Sequence, residues 1–315
     1  MDGSWLQRVE AQLEAVVVTD NPFVTEAAQH VLMAGGKRLR PLLVGLAADF
    51  GSQPVDDQRL VDAALVVELT HVASLYHDDV MDDAEMRRGG TSANAHFGNS
   101  VAILTGDYLF ARASRLVAGL GPAFVARQAD TFSLMVRGQI AEFKGPGPLD
   151  DPMAHYLRVL DQKTASLIAA SAVFGGMVGG LGQADIDALD RFGNTLGIAF
   201  QLHDDLMDIL SDEAGKRPGT DLRAGVATLP LLLLAKSDKP ADQALVASVG
   251  ADMTDDDVAA ALCALREHPV MEQARDIVDG YAARAKAELA KLPDLPPKQA
   301  LSGVIDDMTS RVRAA

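Results

Sequence analysis

Apolar and polar positions alternate with helical period along almost the whole chain. Residues 4–18 form a first amphipathic stretch, and Asn21-Pro22 opens a second with Pro in its first turn, running to Gly35-Gly36. GGKRLRP follows, and Pro41 begins the apolar helix LLVGLAADF. A long apolar helix is predicted over 55–83, another over 100–119, and a third from Gly121-Pro122 to Lys144. The short GPGPLDDP patch at 145–152 reads as one loop. Beyond it, YLRVLDQKTASLIAASAVFGGMVGG places Lys163 and Thr164 mid-helix, and its small residues at 169–180 predict close backbone approach or a kink. RFGNTLGIAFQLHDDLMDIL is again helical, GKRPGTDLRAGVATLP is a loop, and 231–315 is helical without apparent chemistry. No alternating, β-branched strand pattern is seen. The expectation is an all-α single domain over 1–315, a bundle of about a dozen helices with a central cavity between two aspartate-bearing ones.

Those two helices break a local rule. HDDVMDDAEMRRGG carries Asp78, Asp79, Asp82 and Asp83 at the end of an apolar run, followed by Arg87 and Arg88. In a continuous helix, Asp78 and Asp82 share one face, with Asp79 and Asp83 as a second pair beside them. Like charges at that spacing cost a helix about 0.2–0.5 kcal/mol per pair. With 44 acidic residues in 315, one such trio arises about once by chance. A second copy, Asp204, Asp205 and Asp208, lies 126 positions further on, after another apolar run. Two solvated helix ends with one spacing are a poor explanation. Paired carboxylates suit a hard divalent cation, Mg2+ more than Zn2+.

Basic residues gather in two places. Lys37, Arg38 and Arg40 crowd a helix start behind two glycines. The helix dipole disfavours cations there, so the cluster reads as an anion site. His71 lies two turns before Asp78 and on its face. Lys216, Arg217 and Arg223 mark a second basic segment, a Gly/Pro-rich loop suited to closing over an anion.

Composition narrows the classes. The chain is 48% hydrophobic with net charge −16, which argues against nucleic acid and anionic lipid as partners. One cysteine, Cys263, excludes an intrachain disulfide and fits a cytoplasmic protein. No signal peptide and no transmembrane run is read.

Together, GGKRLRP, the twin aspartate stretches, Lys163-Thr164 and the loop ending at Pro230 resemble the trans-prenyltransferases, the polyprenyl (isoprenyl) diphosphate synthases. The resemblance covers about two thirds of the chain. It implies the isoprenoid synthase fold, a homodimer, Mg2+, and head-to-tail condensation of isopentenyl diphosphate onto an allylic diphosphate. It implies that Lys37, Arg40, His71 and Arg88 grip isopentenyl diphosphate. Arg87, Lys163, Thr164, Gln201 and Lys216 would contact the allylic diphosphate. Asp78, Asp82 and Asp204 would hold Mg2+ and, with Lys163, form the catalytic set; Asp208 joins the metal ligands, with Asp79 and Asp205 behind them. One departure stands out: the family's usual Gly-Lys-x-Thr-Leu-Pro is here Gly225-Val226-Ala227-Thr228-Leu229-Pro230, so Val226 replaces a lysine. Arg217 also stands where the family usually has proline.

Small residues one and two turns behind Asp78 (Ser74, Ala73 and Thr70) leave no bulky floor for a growing chain, and only 5% of residues are aromatic. A product of hexaprenyl length or longer is expected, limited near Val66, Val67 or Met135; a geranylgeranyl diphosphate synthase is the alternative. A class I terpene cyclase fits less well. Its second acidic pattern is Asn/Asp, Ser/Thr, Glu, against Asp204, Asp208 and Asp212 here, and it has no use for Lys37, Arg40 and His71. A non-catalytic partner subunit would tend to lose the aspartates.

Overall fold

The computed structural model describes residues 3–52, 54–211, 218–250 and 252–314. Helices dominate, sixteen α-helical segments among the described residues, with one π-helical turn. Most boundaries follow from residues visible in the sequence. Pro22–Met33 starts after Asn21, whose Oδ1 accepts from Phe23 N at 3.0 Å. Asp57–Met81 starts after Asp56, whose Oδ1 accepts from Gln58 N at 2.9 Å. Pro122–Lys144 and Pro152–Leu160 both begin on proline, which gives up no intrahelical bond there.

The chain divides into two compact units. The first comprises Met1–Ser133, Leu167–Asp190 and Leu292–Pro297. Its core is Asp57–Met81, buried on nearly all sides through Leu65, Val66, Leu69, Val72, Ala73 and Tyr76. Leu39–Ala48 and Asn99–Leu120 pack against it. The small residues at 169–180 do allow close approach: a Cβ on Gly175 would lie 2.1 Å from the Val44 carbonyl oxygen, so only glycine admits Leu39–Ala48 there. The second unit comprises Leu134–Ser166, Arg191–Lys291 and Lys298–Ala315. Leu202, Leu206, Ile209, Leu222, Leu229, Leu265 and Val278 form its core.

Three expectations are corrected. Met86–Arg87 pairs antiparallel with Gly90–Thr91, a ribbon too short to show alternation in sequence. Its turn comes from Arg88 at φ 52° and Gly89 at φ 81°, the consecutive positive values of a tight hairpin turn. The helix bearing the first aspartates stops at Met81, with Asp82 as its cap and Asp83 at φ 46°, so Asp79 and Asp83 are not a helical pair. Lys163 and Thr164 lie in the π-turn Asp161–Ala165, not in regular helix. Among the described residues no helix is long and apolar enough to cross a membrane.

Candidate active site

In the first unit the basic loop is wrapped by arginines. A Cβ on Gly36 would lie 3.2 Å from an Arg88 nitrogen, and Arg88 donates to the carbonyls of Gly35 and Val31. Lys37 is exposed, whereas Arg38 turns inward to Glu10, Glu68 and the Leu32 carbonyl. Arg40 Nε is buried with no hydrogen-bond partner among the described residues. Burial pushes the Arg40 pKa down to about 10, with Arg88 adding to the effect and Glu68 opposing it. Burial, then Arg40, Arg88, Arg38 and Arg87, hold the His71 imidazole well below its usual range. Cations crowded so that they depress one another's protonation would favour an anion among them. Arg40, His71 and Arg88, three of the four residues expected around isopentenyl diphosphate, are thus brought together.

The first aspartates split by environment. Asp78 is half-buried in the last turn of Asp57–Met81, and Asp82 is exposed at its cap. Asp79 is fully buried and accepts from Arg87 Nε at 2.6 Å.

In the second unit Gln183–Leu210 carries the other set on its last two turns. Asp204 and Asp208 are half-buried one turn apart; Asp205 is buried. The Asp205 carboxylate accepts from Gln201 Nε2 at 3.0 Å and from the Tyr156 hydroxyl. Gln201 Oε1 accepts from Thr164 at 3.3 Å, which fixes the orientation of the amide. Lys163 pairs with Glu142. A Cβ on Gly138 would lie 2.5 Å from Lys163 N, so glycine lets Pro122–Lys144 press against the π-turn that presents this lysine. The chain from Pro218 onward lies against the aspartates: Gly219 N donates to the Asp208 carbonyl at 2.9 Å and Asp221 N to its carboxylate at 3.1 Å.

Lys163, Thr164, Gln201, Asp205, Asp221 and Val226 line a cavity of about 440 Å³. Burial, then neighbouring carboxylates, push Asp205 up to about 6 and Asp221 up to about 7. For Asp221 the neighbours are Asp205, Asp208 and Glu142. Neighbouring carboxylates raise each other's pKa, and oxygen donors of this kind suit a hard cation such as Mg2+ or Ca2+. Among the described residues no three carboxylate or histidine groups are gathered closely enough to hold one by themselves.

The polyprenyl synthetase family model matches residues 21–265. The chain belongs to that family. It is 46% identical to the nonaprenyl diphosphate synthase of Mycobacterium tuberculosis (strain ATCC 25618 / H37Rv) over 307 residues, 96% of this chain and 91% of that one. Among solved structures it resembles a geranylgeranyl pyrophosphate synthase from Corynebacterium glutamicum, complexed with calcium and isoprenyl diphosphate. There the identity is 40% and the TM-score 0.87, over 98% of this chain and 95% of that one. It also resembles a decaprenyl diphosphate synthase from Rhodobacter capsulatus, at 33% identity and TM-score 0.89, over 98% and 97% of the two chains.

Two of the residues singled out in the sequence stand apart from the others. Lys216, together with Arg217 and Asp212, lies outside the described residues. Arg87 is engaged with Asp79. Sequence reading missed Asp221, Tyr156 and Glu142, single polar residues without the paired spacing that exposed the other aspartates. Val226 is half-exposed in the cavity wall, where the family's lysine would put a cation.

Proposed function

We propose that the chain is a Mg2+-dependent trans-prenyltransferase. In this reading it condenses isopentenyl diphosphate head-to-tail onto an allylic diphosphate, giving a polyprenyl diphosphate of hexaprenyl length or longer. The whole chain acts as one synthase domain, in the cytoplasm. The observation that carries this is the clustering of opposite charge in the two units. Asp205, Asp208 and Asp221 crowd together in one, with Lys163 beside them, and Arg40, His71 and Arg88 crowd together in the other. Metal ions suit the first cluster and substrate diphosphates the second. The 46% identity to a nonaprenyl diphosphate synthase supports the product class.

Asp78, Asp82, Asp204 and Asp208 would hold Mg2+, which neutralises the charge that the allylic diphosphate gains on leaving. Lys37, Arg40, His71 and Arg88 bind isopentenyl diphosphate. Arg87, Lys163, Thr164, Gln201 and Lys216 hold the allylic diphosphate, with the Gln201 amide oriented by Asp205 and Tyr156. The allylic C–O bond breaks, the isopentenyl double bond supplies the electrons of the new C–C bond, and the released diphosphate takes the proton. Apolar walls such as Ala73, Val66 and Val67, all buried, keep water from the reacting carbon.

One observation favours the geranylgeranyl alternative. Two turns behind Asp78, the Thr70 hydroxyl accepts from Gln128 Nε2 at 2.6 Å, and both residues are buried. The Phe110 ring lies tilted 5.7 Å from the His77 ring and 4.4 Å from the Phe132 ring. These side chains would narrow a tail path that the small residues leave open.

A homodimer is supported by exposed apolar side chains: Ile103 and Leu104 on Asn99–Leu120, and Val136, Ile140 and Phe143 on Pro122–Lys144. Labelled isopentenyl diphosphate tests the reading. Incorporation by the purified chain alone, with Mg2+ and an allylic primer, is expected. No incorporation, or cyclisation of the primer without it, would point to a partner subunit or a cyclase.

A further inference from the structure

Arg38 stands between Lys37 and Arg40 in the basic loop but takes no part in the anion site those residues form. Its guanidinium is buried and fully engaged. Nε and Nη2 meet the two carboxylate oxygens of Glu10 at 2.5 and 3.1 Å. Nη1 donates to Glu68 Oε1 at 2.7 Å, and Nη2 to the Leu32 carbonyl at 2.9 Å. A planar fork satisfied on each side is a rigid anchor, not a ligand waiting for substrate.

The backbone at this point needs an anchor. Arg38 sits at φ 47° and ψ 37°, a left-handed conformation disfavoured for a residue with a Cβ. Gly35 and Gly36, at φ 88° and 147°, come before Lys37, and Arg38 starts the helix Leu39–Ala48 with no side-chain cap. The side-chain contacts are therefore what hold the loop's path. Glu68 lies three residues before His71 on Asp57–Met81, so the same contacts tie the loop to the turn that carries His71. Glu68 is 2% exposed and is the buried carboxylate that Arg38, Arg40 and Arg88 all feel. Glu10, on Gly3–Val16, lies outside every motif the sequence displays.

We propose that Glu10 and Glu68 act through Arg38 as positioning residues for the anion site. In this arrangement the first helix sets the backbone from which Lys37 and Arg40 reach isopentenyl diphosphate. The proposal rests on the reading given above for that site. The Glu10 carboxylate is 39% exposed, so water can replace it beside Arg38, whereas the Glu68 carboxylate is buried and its removal leaves the guanidinium uncompensated in the core. Glu10→Gln and Glu10→Ala are therefore the informative variants.

Steady-state kinetics of the full chain should show the KM for isopentenyl diphosphate rising about tenfold in Glu10→Ala and less in Glu10→Gln. The kcat and the KM for the allylic substrate should stay within about twofold of wild type. Unchanged KM for isopentenyl diphosphate, or a common change in kcat and both KM values, overturns the proposal. Calorimetric titration with inorganic diphosphate in EDTA reads the loop without turnover. Weaker binding by Glu10→Ala than by wild type supports the strap even if the wild-type chain consumes no isopentenyl diphosphate, a result that would instead sink the proposed reaction. Equal diphosphate binding by the two, or none by wild type up to millimolar concentration, overturns the strap.

Discussion

Arg87 Nε lies 2.6 Å from Asp79 Oδ1, and Asp79 is completely buried beside the half-buried Asp78. The middle aspartate of the first set thus steers an arginine. Its other oxygen, Oδ2, is buried with no hydrogen-bond partner among the described residues. Asp79→Asn should keep the fold and release Arg87. The expected result is a fall of about tenfold to a hundredfold in kcat/KM for the allylic diphosphate, with a smaller change in the KM for isopentenyl diphosphate. Kinetics with each substrate varied in turn check this, and an unchanged kcat/KM would assign Asp79 no role.

Both aspartate sets are expected to be needed for metal. Asp78→Ala and Asp204→Ala each truncate a half-buried carboxylate at a helix end, so neither should unfold the chain. Each should lower turnover by about a thousandfold or more, and EDTA should abolish it in wild type. Wild-type rates in either variant would contradict the assignment. Circular dichroism controls for folding.

Asp221 gives a pH dependence of stability. Its pKa is raised from 3.8 to about 7, by burial first and then by Asp205 and Asp208. Between those values the folded metal-free chain holds a proton that the unfolded chain has released. Stability from this group therefore falls as pH rises through that window and is level above it. Asp221→Asn should melt higher than wild type at pH 8 without metal, and the difference should shrink towards pH 5. Melting curves at the two pH values, with EDTA, decide. A variant that is less stable at pH 8 would refute the crowding. Added Mg2+ should stabilise wild type at pH 8 more than the variant.

Val226 lines the cavity near Lys163, where the family usually carries a second lysine. Val226→Lys should lower the KM for the allylic diphosphate several-fold and leave that for isopentenyl diphosphate nearly unchanged. If neither constant moves, the loop does not reach the ligand.

The helical frame was legible because its caps are local. Asn21-Pro22 and Gly121-Pro122 announce helix starts without reference to distant chain. The aspartate sets were legible because repetition at one spacing is improbable. What escaped depends on chain that returns from elsewhere. Asp221 matters only because its segment folds back onto Asp208, and Tyr156 only because it reaches Asp205 from another helix. The π-turn at Asp161–Ala165 adds no residue type that a helix would reject. The Met86–Arg87 ribbon is set by positive φ at Arg88, which the sequence does not declare. Thr70 read as open space, yet Gln128 from a separate helix covers its hydroxyl.

Product length tests the account most directly. Purified chain with Mg2+, a short allylic primer and excess isopentenyl diphosphate is assayed by mass-spectrometric sizing of the prenyl diphosphates. Ala73 is buried one turn behind Asp78, and Ala73→Phe should place a ring across the tail path, shifting products to short chains while turnover persists. For wild type the account predicts products of hexaprenyl length or longer. Wild-type products that stop at farnesyl or geranylgeranyl length would contradict it.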